Sequence, residues 1–464
     1  MSERFLFLTG HLAYPRLDRL LRSLGETPFS WEVCDIGVKV AALMTEAIIL
    51  RRLPRPVGAD RIILPGRCRA DLARLSSALN APVMRGPDEL SDLPAYLGRG
   101  GQARDLSRYD IRIFAEIIDA PALSIEALLA RADGMRKAGA DVIDVGCLPD
   151  TPFPGLEDSI RALKSAGHRV SVDSADPGEL ARGAGAGADF LLSLDESSLD
   201  IAAGSGATPI LVPSPHGDID SLVRAAHLAE QRGLSYIVDP ILDPIHFGFA
   251  ASLARYVETR RRLPQAEMMM GTGNLTELTE ADSGGVTAVL IGLCSELAIR
   301  NVLTVQVSPH TRRTLQEHDA ARRLMLAAAA DGATPKGYDA GLLQLHDRAP
   351  YPSSRREIEE MAEEVRDASF RIATAEDGLH IFNREGHHVA RDAFSLFPKL
   401  GVEADGAHAF YLGAELAKAE IAFALGKRYA QDEPLDWGCG ADRPEEDKNR
   451  LREAGHTLRG KVRE

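Results

Sequence analysis

The chain has 464 residues, a formal net charge of −14 and an isoelectric point near 5.5. This length exceeds one typical domain, so we expect two or three domains, each with enough buried surface to fold without disulfides. The acidic balance argues against a nucleic-acid-binding surface, which needs clustered Lys and Arg. No run of about 18 uncharged apolar residues occurs, so we expect a soluble, non-secreted, cytoplasmic protein that does not enter a membrane.

Residues 1–100 contain short apolar runs that end in glycine and alternate with helical patterns. The runs FLFLTG (5–10), WEVCDIG (31–37) and DRIILPG (60–66) predict strands of an open parallel sheet covered by helices, as in Rossmann-like or flavodoxin-like domains. Such sheets often bind nucleotides, but no Gly-x-Gly-x-x-Gly or Walker A motif follows the first strand, where GHLAYP (10–15) keeps one glycine. Nucleotide binding and a docking or oligomerisation role both stay open.

A polar, glycine-rich linker over 97–110 leads into a repeated pattern. In each repeat a helical pattern ends in glycine, a short apolar run follows, and an acidic or polar residue arrives where that run stops. Glycine caps a helix, and an unbroken apolar run is typical of a strand buried on both faces. Five copies of this pattern, with one apolar run before them and two after, count to eight strands in about 200 residues, which predicts a (β/α)8 TIM barrel, placed at 108–330. The predicted strands lie in 111–118, 137–146, 165–174, 185–194, 204–213, 231–240, 267–274 and 301–308.

Functional residues of such barrels lie where the strands end. The acidic and polar residues at these ends are Glu116, Asp119, Asp144, Asp173, Ser193, Asp239, Asn274 and Gln306.

Local roles compete with functional ones at some of these positions. The helix after Asp173 has its own N-cap at Asp176, so Asp173 is free to face the barrel interior. Asp239 also fits a simple Asp-Pro turn. Asn274 could cap a helix with Glu277 as its N3 partner.

Residues 331–464 predict a C-terminal α+β domain. Helical patterns over 356–370 and 408–430 flank a segment, 370–392, that predicts two strands joined by an Asn-Arg-Glu-Gly turn. The charged tail after Trp437 is predicted to fray.

Neither the cysteines nor the histidines form a metal-binding pattern. The five cysteines are odd in number and widely spaced, which is typical of reduced thiols in the cytosol. His380, His387, His388 and His408 lie close in sequence, but adjacent histidines on a strand point to opposite faces and no Cys or paired carboxylate completes a ligand set. We therefore assign no metal-ligating residues from the sequence.

Asp173, Asp239 and Asn274 close the third, sixth and seventh predicted strands and are expected to converge at one end of the barrel. A carboxylate can accept two hydrogen bonds from the adjacent N–H donors of an amino-pyrimidinone edge, and an Asn adds both a donor and an acceptor. This combination matches the hydrogen-bonding groups of a pterin.

At these residues the chain resembles the pterin-binding barrel family, which includes dihydropteroate synthases and methyltetrahydrofolate-dependent methyltransferases. The resemblance is carried by GADVIDVG (139–146), SVDS (171–174), YIVDP (236–240) and GTGNLTE (271–277). It implies that Asp173 and Asp239 hold the pterin edge and that Asn274 lies near its reactive side. The candidate pterin-binding residues are Asp173, Asp239, Asn274, Ser193, Asp144 and Gln306, and the candidate catalytic residues are Asn274, Asp119 and Glu116.

The chain departs from the synthases where they hold the second substrate. Their loop after the first strand, Asn-Val-Thr-Pro-Asp-Ser-Phe, is replaced by a segment that begins Glu116-Ile117-Ile118-Asp119. The Lys that ends their seventh strand is replaced by Asn274, and the Arg and His of the eighth by Gln306-Val307-Ser308. Most of the lost groups are cationic and would hold a pyrophosphate and an aryl carboxylate.

The three-part arrangement resembles the dihydropteroate synthase-related proteins of archaea and methylotrophic bacteria, which are associated with tetrahydromethanopterin biosynthesis. The resemblance implies a folate-like transferase of one-carbon metabolism, a homodimer, that joins a dihydropterin methyl group to a ribosylated aminobenzene. Mg²⁺ would neutralise the departing pyrophosphate, with Glu116 or Asp119 as its ligand.

Two other functions stay open. GTGNLTE is closer to the methyltransferases, which favours transfer from a methyl-tetrahydropterin, although no corrinoid-binding Asp-x-His-x-x-Gly motif occurs in the chain. The lost cations favour a non-catalytic pterin-binding subunit.

Overall fold

The computed structural model describes residues 3–39, 41, 44–54, 56–88, 90–98, 105–149 and 151–442. The chain divides into two compact units, one with residues 105–344 and Trp437–Asp442, the other with residues from 3–98 and Leu345–Asp436. The N- and C-terminal segments, treated above as separate domains, therefore fall in the same unit. The predicted linker lies partly outside the described residues, as does most of the predicted fraying tail. Across the described ranges, no helix combines the length and apolar character needed to cross a membrane.

Residues 3–98 form an open parallel sheet with helices packed on it, as the sequence predicts. The strands have the spatial order β2-β1-β3-β4, so the direction in which the chain winds reverses between the neighbours β1 and β3. Two apolar clusters, around Ile62 and around Ile63, bury the two faces of the sheet. The elements are β1 (Arg4–Thr9), α1 (Tyr14–Ser23), β2 (Ser30–Asp35), α2 (Glu46–Arg52), β3 (Arg61–Leu64), α3 (Leu72–Leu79), β4 (Val83–Arg85) and α4 (Leu93–Tyr96).

The unit that includes residues 105–344 contains a closed barrel of eight parallel strands with helices around it, which confirms the predicted TIM barrel. Each strand lies within one of the eight segments that the sequence predicts as strands. The strands are β5 (Arg112–Ile117), β6 (Val142–Gly146), β7 (Val170–Asp173), β8 (Phe190–Leu194), β9 (Thr208–Leu211), β10 (Ile237–Val238), β11 (Glu267–Gly271) and β12 (Asn301–Val305). The helices are α5 (Ile125–Lys137), α6 (Leu156–Ser165), α7 (Pro177–Ala186), α8 (Ile219–Gln231), α9 (Phe249–Arg262), α10 (Gly273–Thr276), α11 (Ser283–Glu296) and α12 (Thr314–Ala330).

An apolar layer fills the part of the barrel interior that lies nearer the amino ends of the strands. Phe114 and Phe190 meet edge to face with ring centroids 4.9 Å apart, within a buried cluster that also includes Val142. Side chains two residues apart on a strand share a face. Glu116 and Asp144 therefore lie on the same inward face as Phe114 and Val142, one layer nearer the carboxyl ends of the strands. We call that carboxyl end the barrel mouth.

The C-terminal segment forms an antiparallel sheet of β13 (Arg371–Ala375), β14 (Gly378–Asn383) and β15 (Gly386–Ala390), with α13 (Arg355–Glu364), α14 (Ala393–Leu396) and α15 (Gly406–Leu425). The predicted Asn-Arg-Glu-Gly turn joins β14 to β15. The segment before this turn was predicted as one strand. It forms two strands, β13 and β14, because the chain turns sharply ahead of Gly378. That glycine has φ of +148°, and a Cβ there would lie 2.4 Å from the carbonyl oxygen of Ala390.

Candidate active site

Three acidic side chains from consecutive strands meet at the barrel mouth, and we call Glu116, Asp144 and Asp173 the acid cluster. One carboxylate oxygen of each lies within 4.8 Å of the others. Strand register brings them together, because Glu116 is aligned with Asp144 and Gly146 with Asp173. Gly146 leaves room for the cluster, since a Cβ at this position would lie 2.7 Å from Oε1 of Glu116.

Asp144 is the innermost member of the acid cluster and is fully buried. Its Oδ1 accepts a hydrogen bond from the hydroxyl of Ser171, which occupies the facing position on β7. Its Oδ2 is also buried and accepts no hydrogen bond within the described residues. A buried carboxylate oxygen without a donor is costly, so this atom favours a proton, a cation or a donor supplied by a ligand.

Burial raises the pKa of every carboxyl group in the acid cluster. Burial is the cause of the raised pKa of Glu116. For Asp144, burial and then the negative charges of Asp173 and Glu116 hold the pKa well above its ordinary value. Burial, followed by the charges of Glu116 and Asp239, raises the pKa of Asp173 to about 7. The cluster therefore retains protons near neutral pH when nothing neutralises its charge.

Asp239 follows β10 and is held by two hydrogen bonds to the same oxygen. Its Oδ1 accepts from the hydroxyl of Tyr256 at 2.7 Å and from the backbone N–H of Ile241 at 2.8 Å. Burial raises the pKa of Asp239 to about 6, although the two hydrogen bonds and the charge of Arg255 act in the opposite direction. Oδ2 accepts no hydrogen bond from any described residue, so it is left for a ligand.

Asp173 and Asp239, from the third and sixth barrel strands, lie at the same mouth and close enough for their charges to interact. Asp173 is only partly buried, whereas Asp239 is 9% exposed. The pair thus offers carboxylate oxygens at the barrel mouth, on the carboxyl side of the apolar layer. An uncharged molecule with several N–H donors along one edge could satisfy both groups at once.

The chain matches one family model, a curated relative and several solved structures. Residues 3–88 match the model of a family of unknown function, DUF6513. An uncharacterized protein of Methanocaldococcus jannaschii is 24% identical over 525 residues, covering 92% of this chain and 98% of that protein. Similar solved structures include the dihydropteroate synthase of Yersinia pestis in a sulfonamide drug complex (17% identity, TM-score 0.39, 49% of this chain and 96% of that one). They also include the Thermus thermophilus synthase in complex with 6HMPPP (21% identity, TM-score 0.37, 48% of this chain and 95% of that one).

The other predicted residues occupy the same end of the barrel but make local contacts. The side-chain amide of Asn274 donates to the backbone carbonyl of Leu242 at 2.6 Å, and that of Gln306 donates to the carbonyl of Arg312 at 2.9 Å. Asp119 forms an ion pair with Arg131 on α5. Ser193 is partly buried in β8.

The helix-capping alternative for Asn274 is not what the structure contains. Asn274 lies inside the short helix α10, and Thr272 occupies its N-cap position. Glu277 instead accepts hydrogen bonds from the backbone N–H groups of Val307 at 2.8 Å and Ser308 at 3.0 Å. Asn274 and Glu277 therefore tie the loop after β11 to the loops after β10 and β12.

Several residues near Asp239 were missed by the sequence analysis. Arg255 on α9 donates to Asp243 Oδ2 at 2.6 Å and to the carbonyl oxygen of Ile241 at 2.8 Å. His216, in the loop after β9, lies 3.0 Å from Asp243 Oδ1. Tyr256 was missed because no motif includes it, and Ser171 was missed as a hydrogen-bond donor to Asp144 although it lies in the SVDS motif.

The acid cluster could hold a divalent cation, which the sequence analysis did not assign to these three residues together. Hard cations such as Mg²⁺ prefer carboxylate oxygens and usually bind through one or two carboxylates plus substrate phosphates. Three convergent carboxylates, one with an unpaired buried oxygen, fit that requirement. Of the two residues considered for Mg²⁺, Glu116 belongs to the cluster and Asp119 is paired with Arg131.

Proposed function

We propose that this protein binds a pterin at the barrel mouth and joins its methyl group to an aryl amine, as a transferase resembling dihydropteroate synthase. The observation that supports this proposal is the placement of Asp173 and Asp239 at the same end of the barrel, on the carboxyl side of the apolar layer. A pterin edge presents an amino group beside a ring N–H, and one carboxylate can accept both. Each such charge-assisted hydrogen bond contributes about 1.5–3 kcal/mol net.

The two carboxylates are suited to different parts of this task. The Asp239 carboxylate is oriented before the ligand binds, because the hydroxyl of Tyr256 and the backbone N–H of Ile241 both donate to Oδ1 and leave Oδ2 for the ligand. Asp173 belongs to the acid cluster and gains hydrogen-bond donors when the N–H groups of the pterin edge approach. Asn274 donates one amide N–H to the carbonyl oxygen of Leu242, so its second N–H and its side-chain carbonyl oxygen remain for the reactive side of the pterin.

In the proposed reaction, the nitrogen of the aryl amine attacks the exocyclic methylene carbon of a dihydropterin methyl diphosphate. A C–N bond forms, the C–O bond to the diphosphate breaks, and pyrophosphate leaves with the electron pair. The amine loses one proton, which passes to solvent water. Mg²⁺, held by Glu116, would neutralise the leaving group.

The second substrate we propose is a ribosylated aminobenzene, in tetrahydromethanopterin biosynthesis. This part of the proposal rests on the sequence resemblance and on the replacement of the cationic residues at positions 274 and 306. A phosphorylated ribose in place of a carboxylate removes the need for an aryl-carboxylate clamp.

Ligand fluorescence titration with 7,8-dihydropterin and with its methyl diphosphate tests the binding step. We expect Asp173→Asn and Asp239→Asn to weaken the affinity for both ligands at least tenfold. Asp158→Asn is the matched control, because the Asp158 side chain is 80% exposed on α6 of the same barrel. Equal affinity in all three variants and the wild type would contradict the proposal.

A second measurement separates binding from catalysis. Product formation from the methyl diphosphate and an aryl amine, followed as pyrophosphate release, is expected in the wild type. Pterin binding without pyrophosphate release would instead support a non-catalytic pterin-binding subunit. That alternative is favoured by the acid excess at the mouth and by the side-chain amides of Asn274 and Gln306, which are both bound to backbone carbonyls.

A further inference from the structure

A cavity of about 410 Å³ lies at the carboxyl edge of the N-terminal sheet, in the unit that does not contain the barrel. Small-molecule sites commonly enclose about 300–1,000 Å³. The residues after all four strands reach this cavity, including Ala13 after β1, Lys39 after β2, Arg67 after β3 and Gly86 after β4. Residues of the C-terminal segment, among them Arg371, close its other side.

The position of the cavity is the one at which open parallel sheets bind ligands. Such ligands occupy the crevice outside the carboxyl ends of the strands, where the winding of the chain reverses. In this sheet the reversal falls between β1 and β3. The cavity is lined by Thr9 at the end of β1 and by Pro65 and Gly66 directly after β3, so it lies over that point.

The lining of the cavity has more basic than acidic side chains although the whole chain carries a net charge of −14, and Arg16 is paired with Glu357 at 3.6 Å. It contains four basic side chains, Arg16, Lys39, Arg67 and Arg371, against two acidic ones, Asp88 and Glu364. Arg371 donates to Asp367 at 2.8 Å. The same Asp367 carboxyl has its pKa held near 2 by the hydrogen bond from Arg371, with a smaller contribution from the charge of Lys39.

The remaining lining is apolar and suits a flat ring. Ile63, Leu93 and Phe382 contribute buried side chains, and Met361 is placed 3.2 Å from the Arg16 guanidinium through its sulfur. A lining that combines apolar side chains with basic groups matches a molecule that has a planar ring and an anionic group. The lack of a glycine-rich phosphate loop after β1 means that side chains, rather than backbone N–H groups, would hold the anion.

We propose that this cavity is a second ligand site, which binds a phosphorylated small molecule with a planar ring, of the mononucleotide class. The phosphate is held by the basic side chains, chiefly Lys39 and Arg67, and the ring packs on Ile63, Leu93 and Phe382. This site is independent of the pterin site, because it belongs to the other compact unit.

Isothermal titration calorimetry of the full chain with AMP, adenosine and ribose 5-phosphate tests the proposal. We expect AMP to bind at least tenfold more tightly than adenosine or ribose 5-phosphate, because only AMP satisfies both the apolar and the basic parts of the cavity. Lys39→Gln and Arg67→Gln should each weaken AMP binding fivefold or more. Arg51→Gln is the matched control, since Arg51 is an exposed cation on α2 of the same unit that does not line the cavity.

Ala13→Phe provides a second variant that keeps the charge and fills the cavity, and it should also abolish AMP binding. Thermal denaturation of each variant checks that the fold is retained. AMP that binds no better than adenosine, or that binds equally to the Lys39, Arg67 and Ala13 variants, would overturn the proposal. Pterin affinity should be unchanged in the variants, so the result does not depend on the barrel site.

Discussion

The phenol of Tyr256 donates a 2.7 Å hydrogen bond to the carboxylate of Asp239 across 17 residues of sequence. Tyr256 is fully buried on α9, a helix of the outer layer, and Asp239 follows β10 inside the barrel. A helix side chain thus passes inward to orient a carboxylate at the mouth. The hydrogen bond also favours the ionised form of Asp239, which is the form that accepts N–H donors from a ligand.

Tyr256→Phe should weaken pterin affinity without preventing folding. The hydrogen bond is lost, Asp239 keeps only the N–H of Ile241, and a larger fraction of the carboxyl is protonated at neutral pH. A loss of about 1 kcal/mol corresponds to a roughly fivefold increase in Kd, measurable by fluorescence titration. Tyr236→Phe is the control, because Tyr236 donates its hydroxyl to Glu230 away from the mouth. An unchanged Kd for Tyr256→Phe would show that Asp239 does not hold the ligand.

The raised pKa of Asp239, about 6, predicts a stability that falls as pH rises. Between the ordinary carboxyl value near 4 and pH 6, the folded state binds more protons than the unfolded state. The free energy of unfolding therefore decreases across this window, by at most about 3 kcal/mol from this group. Denaturation at pH 4.5 and 7 should show a smaller decrease for Asp239→Asn than for the wild type and for Asp158→Asn. An equal decrease in the free energy of unfolding for Asp239→Asn and for the wild type would contradict the prediction.

Ligand affinity should change with pH in the opposite direction. A carboxylate accepts hydrogen bonds from a pterin only when it is ionised, so the association constant should rise from pH 5 to pH 7.5 as Asp239 loses its proton. The rise should be smaller in Asp239→Asn, where only Asp173, with a pKa of about 7, still loses a proton in this range. Fluorescence titrations at half-unit pH intervals would measure it, and an affinity that falls over this range would contradict the assignment.

The sequence predicts the barrel because its signals are local and repeated. Each glycine-terminated helix and short apolar run, such as 137–146, marks one strand, and five of them with three flanking apolar runs predict the TIM barrel. The strand ends then identify Glu116, Asp144 and Asp173 without any coordinates. The split of the 370–392 run at Gly378 was missed because the sharp turn depends on close approach to Ala390 in another strand.

The sequence could not predict how the candidate residues are partnered. Asp119 and Glu116 look equivalent after the first strand, but only the structure separates the ion pair with Arg131 from the acid cluster. Asn274 is identified correctly as a strand-end residue, yet its amide bond to Leu242 joins positions 32 residues apart. Such contacts depend on how loops meet across the mouth, and no local pattern encodes them.

Glu116→Gln and Asp119→Asn should differ in their response to Mg²⁺. Glu116 contributes to a site with three carboxylates, so its neutralisation should abolish most of any increase in melting temperature that millimolar Mg²⁺ produces in the wild type. Asp119→Asn should retain the increase, because Asp119 is engaged with Arg131. Differential scanning fluorimetry with and without Mg²⁺ provides the comparison. Loss of the Mg²⁺ effect in the Asp119 variant, with retention in the Glu116 variant, would reverse the assignment.

At the opposite, amino end of the barrel, Arg322 is a structural cation whose loss should affect stability but not binding. It is 2% exposed, donates to the carbonyl oxygens of Ile111 at 2.7 Å and Gly139 at 3.0 Å, and pairs with Asp319 at 2.6 Å. Removing one partner of a buried ion pair typically costs about 3–5 kcal/mol. Arg322→Ala should therefore lower the melting temperature by roughly 6–20 °C.

Arg312→Ala is the matched control for this variant, because Arg312 is exposed and precedes α12 in the same unit. Pterin affinity of Arg322→Ala, measured well below its melting temperature, should equal that of the wild type, since the mouth lies at the other end of the strands. A variant that melts normally but binds pterin weakly would show that the two ends of the barrel are coupled. The separation of a stabilising amino end from a binding carboxyl end would then be wrong for this protein.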